Sequence, residues 1–183
     1  MAALSGRTIV LGVSGSVAST KAADIARRLI EAGAQVTAVL TAGAQEFVRP
    51  LTFTALTGRP ALTDSFSLPN GAMPHLDLAK NASAVLVAPA SANLLARAAA
   101  GLADDLLASI LLVTRAPVFF APAMHEPMWT HAATQRNVET LKGFGHRFLG
   151  PTSGALASGD HGMGRLLDPE ILVAELVRSL VPK

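Results

Sequence analysis

The chain has 183 residues, 50% of them hydrophobic and 15% charged, with a formal net charge of +2. That composition suits one domain with a sizeable core, expected to span residues 1–183. Lysines and arginines are scattered, aromatics make up 4%, and cysteine is absent. These facts exclude a clustered basic face for nucleic acid, disulfides, thiolate metal sites and a cysteine nucleophile.

Thr8–Gly12 is a short apolar run before Gly and Ser, the pattern of a buried strand entering a turn. Ala18–Ala32 carries Ala22, Ile25, Ala26, Leu29 and Ile30 at helical spacing and stops at Gly33. Gln35–Leu40 reads as a second strand and completes a βαβ unit. Thr41–Leu56 reads as largely helical despite Pro50, and Leu62–Pro74 as a polar loop. Ala84–Ala88 is a strand of the fully buried type ended by Pro89, followed by helices over Ser91–Ala100 and Asp104–Val113. Pro117–Ala121 is a strand ended by Pro122, Thr134–Phe144 a helix, His146–Leu149 a short strand and Pro169–Leu180 a closing helix. Between the last two lies Pro151–Leu166, a Gly-rich run that reads as a flap over a site. No apolar stretch reaches the ~20 residues of a membrane helix, and no leader pattern stands at the N-terminus. A cytoplasmic protein without membrane contact is expected.

This alternation predicts an α/β fold, an open doubly wound parallel sheet of Rossmann-like type. Ligands in such sheets bind beyond the carboxyl ends of the strands. Here those ends are Gly12–Val17, Leu40–Thr41, Ala88–Asn93 and Ala121–Trp129. Gly12-Val-Ser-Gly-Ser-Val-Ala18 follows the first strand and opens the first helix, where backbone N–H groups and the helix dipole favour a phosphate. It is neither G-x-G-x-x-G nor a P-loop. Thr41 stands where a dinucleotide site usually places an acid, which points to a mononucleotide. His125-Glu126 with His131 fails the H-E-x-x-H spacing, since Trp129 is fourth after His125 and Pro127 intervenes, so no metal is expected. His75 reads from spacing alone as a loop residue. Pro89-Ala-Ser-Ala-Asn93 and Ala121–Trp129 offer polar groups beside the soft surfaces of Met124, Met128 and Trp129, walls suited to a flat aromatic ligand.

As an ordered set these segments resemble the homo-oligomeric flavin-containing cysteine decarboxylases, from about Arg7 to Leu167. The marks are Gly12–Ala18, the Pro74-His75 pair, Pro89–Asn93, Gly101–Asp105, Pro122-Ala-Met with Met128-Trp129, and the Pro151–Leu166 flap. The resemblance implies FMN rather than FAD. Gly15, Ser16, Val17, Thr41, Ala42 and Gly43 would hold its phosphate and ribityl chain. Ser91, Ala92, Asn93, Leu94, Asp105 and Ala123 would complete the flavin site. It implies His75 as catalytic base, and His125, Met128, Trp129, Ser158, Asp160 and Arg165 around the substrate. It also implies trimers, or larger assemblies of trimers up to a dodecamer, with FMN at subunit boundaries.

Two positions depart from the family pattern. His125 stands where the family usually has Asn against the substrate carboxylate; imidazole can donate there too. Ser158 stands where the coenzyme A enzymes carry a flap cysteine, and a hydroxyl cannot do that thiol's redox work. The expectation is therefore oxidative decarboxylation of a C-terminal peptidyl cysteine to an aminoenethiol, with a Cys-terminated precursor peptide as partner. The end at Lys183, without the synthetase domain that bacterial coenzyme A enzymes often carry, points the same way. The alternatives are a phosphopantothenoylcysteine decarboxylase and a non-catalytic FMN-binding regulator. A flavin prenyltransferase shares the fold but lacks the Pro122–Trp129 and flap motifs.

Overall fold

A computed structural model describes residues 2–66, 73–157 and 159–181. Five parallel strands, β1 (Thr8–Val13), β2 (Gln35–Leu40), β3 (Ala84–Ala90), β4 (Val118–Pro122) and β5 (Arg147–Phe148), form a sheet in the order β2-β1-β3-β4-β5. Every residue of β3 is buried, as expected of a central strand covered on both faces. A 3-10 helix (Val17–Lys21) and α1 (Ala22–Glu31) join β1 to β2, and α2 (Ala42–Gln45), α3 (Pro50–Thr57) and α4 (Pro74–Asn81) join β2 to β3. Helices α5 (Ala92–Ala100) and α6 (Leu106–Val113) precede β4, and α7 (Glu126–Thr130) and α8 (Ala132–Gly143) precede β5. The hairpin β6 (Thr152–Ala155) and β7 (His161–Arg165) is an antiparallel sheet of its own, and α9 (Pro169–Leu180) closes the fold.

The sheet divides the core in two. Leu11, Val13, Ile25, Leu29, Phe53, Phe119, Leu172 and Leu176 fill one side beneath α1, α3 and α9. Val85, Val87, Leu94, Leu107, Ile110, Phe120 and Leu141 fill the other beneath α5, α6 and α8. Small side chains in β3, Ala84, Ala88 and Ala90 among them, let the helices lie close to the sheet.

Prolines account for most departures from the sequence reading. The region Thr41–Leu56 is two helices, because Pro50 cannot donate inside a helix but fits its first turn, where α3 begins. Pro127 likewise sits in the first turn of α7, a helix that periodicity does not reveal. Pro74 opens α4, so His75 is helical rather than in a loop. Pro89 does not end β3: the register with β4 shifts between Val87 and Ala90, and the strand continues until Ala90 meets Pro122. The flap is an ordered two-stranded hairpin. Among the described residues no helix is long and apolar enough to cross a membrane.

Candidate functional site

The strand order 2-1-3-4-5 places its topological switch point between β1 and β3, where a mononucleotide such as FMN sits in folds of this order. Buried Ser14, just past β1, ties that point together. Its hydroxyl donates to the Pro89 carbonyl at 2.8 Å and accepts from the Ser91 N–H at 2.8 Å. Ser19 then donates to the Ser14 carbonyl at 2.8 Å. Ser14 lies within the Gly12–Ala18 motif, but its bridging role shows only through partners 75 and 77 residues away.

Each strand end hands over to a capping side chain. Ser16 accepts from Ala18 N–H at 3.3 Å, Thr41 from Ala44 at 3.2 Å, and Ser91 from Leu94 at 3.3 Å. Caps of this kind satisfy the orphan donors of a helix start. Gly15 and Gly43 bring the first two turns together: a Cβ on Gly15 would stand 3.0 Å from the Gly43 carbonyl carbon. Backbone thus approaches backbone, leaving room that side chains would take.

A cavity of about 420 Å³ lies beside this cradle, lined by the 3-10 helix, the turn after β4 and the hairpin. It gathers Ser16, Val17, Ala123, His125 and Arg165 from the expected set. It adds Lys21, which sequence reading passed over; the spacing Val17, Ala18, Thr20, Lys21 on a tight helix was the available signal. Two permanent cations and a histidine line it, with no carboxylate.

The hairpin is docked on the turn after β4 by close backbone contacts. Met124 N–H donates to Gly164 O at 2.9 Å and Met163 N–H to Glu126 Oε1 at 3.1 Å. A Cβ on Gly164, whose φ is +127°, would strike the Met124 carbonyl, and one on Gly162 would strike the Glu126 carboxylate. His125 Nε2 lies 3.0 Å from Asp160 Oδ2, so the hairpin and the turn also meet through an ion pair when the imidazole is protonated. Burial elsewhere moves one imidazole: desolvation holds His146, edge-on to Phe120 and Phe144, below the ordinary histidine value.

Other expected site residues fall elsewhere. His75, in the first turn of α4, has a buried Nδ1 with no hydrogen-bond partner and does not line the cavity. Asp105 is occupied: Oδ1 caps α6 through Ala108 at 2.8 Å, and Oδ2 holds Arg97 at 2.7 Å. Leu94 is buried in the core, so its side chain cannot line a flavin; Asn93 is exposed and Ala92 half-buried. Ala42 opens on a separate polar recess with Gln45 and Arg49. Met128 is exposed, while Trp129 packs partly buried against the core. His131 caps α8, its Nδ1 accepting from Ala133 at 3.1 Å. Ser158 lies outside the described residues.

Fold and site together define a mononucleotide-binding α/β protein with a hairpin over its cavity. The chain belongs to the Flavoprotein family, whose model matches residues 2–181. It is 47% identical over 185 residues to the coenzyme A biosynthesis bifunctional protein CoaBC of Vibrio cholerae, covering 100% of this chain and 46% of that protein. The chain therefore spans about half the length of the curated relatives it matches. A cysteine-to-serine mutant of PPC decarboxylase, complexed with pantothenoylaminoethenethiol, aligns at a TM-score of 0.84 and 30% identity, covering 93% of this chain and 96% of that one. The FMN-dependent cysteine decarboxylase SpaF aligns at 0.84 and 29% identity, covering 97% and 98%. The residues present fit a flavin nucleotide. The Gly15–Gly43 approach leaves a cradle that a single Cβ would fill, and the hydroxyls of Ser16, Thr41 and Ser91 stand at the strand ends around the switch point.

Proposed function

We propose that this chain is an FMN-dependent decarboxylase of phosphopantothenoylcysteine. The observation that carries this reading is the 47% identity to CoaBC along the whole chain; among solved structures PPC decarboxylase and SpaF stand alike, at 30% and 29% identity. Support for the substrate thus runs towards the coenzyme A side and away from the peptide expected from Ser158. The end at Lys183 carries no weight between the two, given the length of those relatives.

Bound FMN would supply reversible two-electron oxidation of the substrate's cysteine portion, which makes carboxylate loss easy. Gly15, Ser16, Thr41, Gly43 and Ser91 would hold it at the switch point. His125 would meet the carboxylate that departs as CO₂. With Nε2 turned to Asp160, Nδ1 is the ring nitrogen left to face that anion. The chain has no thiol, so a saturated product needs another proton donor, a role His125 would take.

His75 does not line this chain's cavity, yet it has an orphaned buried Nδ1. An oligomer with the flavin at a subunit boundary gives that base a site on the next copy. Exposed Leu76 on α4 and Leu112 and Val113 on α6, helices that pack together, favour such a boundary. Mixing His75→Asn with His125→Ala subunits should then restore activity that neither has alone.

The substrate reading is tested by weighing products from phosphopantothenoylcysteine and from Cys-ending peptides. Loss of about 44 Da from the former, CO₂ alone, is expected. Loss of about 46 Da from peptides, with the small molecule untouched, would return the reading to peptide modification.

A further inference from the structure

Among the described residues, Lys21 and Arg165 bring two cations to the cavity beside the switch point. Both line the same cavity, one from the 3-10 helix after β1 and one from the last residue of β7. No carboxylate lines that cavity. Arg27, Arg28, Arg97 and Lys142 all have acid partners, whereas neither Lys21 nor Arg165 does. The nearby acids are engaged elsewhere: Asp160 faces His125, and Glu126 accepts from Met163 N–H. Two cations left facing one half-enclosed space imply an anion as ligand.

That anion is distinct from the two already placed. The flavin phosphate belongs to the Gly15–Gly43 cradle. Lys21 lies five residues beyond Ser16 along a 3-10 helix, which at ~2 Å per residue carries its backbone about 10 Å away. The substrate carboxylate belongs to His125. A third, remote anion remains, and a dianionic phosphomonoester suits a lysine and an arginine better than a peptide chain, which has no fixed charge there.

We infer that Lys21 and Arg165 form a clamp for the phosphomonoester at the substrate end remote from cysteine, and thereby set the preference for a phosphorylated small molecule over a peptide. The clamp rests on the decarboxylase reading above.

The flavin-loaded protein should prefer phosphopantothenoylcysteine over pantothenoylcysteine by about 100-fold in kcat/KM, the scale of two charge-assisted contacts. Lys21→Met and Arg165→Met should each reduce that ratio to about tenfold, chiefly through KM, and the double variant should abolish it. Calorimetry with 4′-phosphopantothenate against pantothenate should show the same collapse without turnover, and Lys21→Arg should restore part of it. The flavin-to-protein ratio should hold in all variants. Variants that keep the preference, a wild type that treats both substrates alike, or loss of flavin in Lys21→Met would each overturn the clamp alone; the last would assign Lys21 to the cofactor's phosphate. A wild type inactive on both substrates overturns the decarboxylase reading and the clamp with it.

Discussion

Replacing Gly15 by alanine tests whether the cradle is built from touching backbones. The added Cβ would meet Gly43 carbonyl carbon at 3.0 Å and its Cα and oxygen at 3.1 Å. Comfortable carbon contacts lie near 3.5–4.0 Å, so one backbone must move by roughly half an ångström. Overpacking of this kind costs about 1–3 kcal/mol. Alanine also restricts the unfolded chain, which returns about 0.4–1 kcal/mol where the native backbone tolerates it, and Gly15 has no positive φ. The net loss is about 1–2 kcal/mol, or a fall in Tm of roughly 2–8 °C for a domain of this size. Gly43→Ala is the matched control. Its Cβ would meet Gly15 Cα at 3.4 Å, an ordinary contact, and alanine suits a helix better by up to ~1 kcal/mol. Thermal unfolding of the flavin-free proteins should therefore separate two substitutions on facing turns, with Gly15→Ala low and Gly43→Ala at or above wild type. Flavin content after reconstitution should drop for Gly15→Ala. Equal Tm values for the two, in either direction, would refute the geometry.

Ser14→Ala removes the two side-chain bonds that join the ends of β1 and β3, leaving the Ser91 N–H without its partner; a loss of about 1–3 kcal/mol in denaturant unfolding is expected. For His146, burial lowers the folded value below the unfolded one. The unfolded chain then binds more protons as pH falls through about 6.5, so this stability is present above that pH and fades below it. His146→Gln should shrink the Tm difference between about pH 7.5 and pH 5; an unchanged difference would exclude His146 as a contributor. Glu126→Ala removes the acceptor for Met163 N–H on an exposed surface. Hydrogen exchange at Met163 should quicken while Tm stays within about 1–2 °C, since the hairpin opens locally.

Much of the fold was legible in order. Buried runs such as Ala84–Ala88, periodic runs such as Ala22–Ile30, and the turn residues between them are local patterns, and local patterns set elements. Proline was the main source of error. Taken alone, Pro50 and Pro127 interrupt helices and Pro89 ends a strand. In context they occupy first turns or a register shift, where the missing N–H has no partner to lose.

The site was legible in part for the same reason. Ser16, Thr41 and Ser91 follow strands and cap helices, so short-range chemistry marks them. By itself the sequence determined the alternation of strands and helices, the capped turns at the strand ends, and the absence of any thiol. Tertiary structure decided which of those turns share a space. It brought Lys21 and Arg165 to one cavity, docked the hairpin through Gly164 and Glu126, and turned Asp105 to Arg97. It also left His75 outside its own chain's cavity. Those outcomes depend on contacts between residues far apart in the chain, which no local pattern encodes.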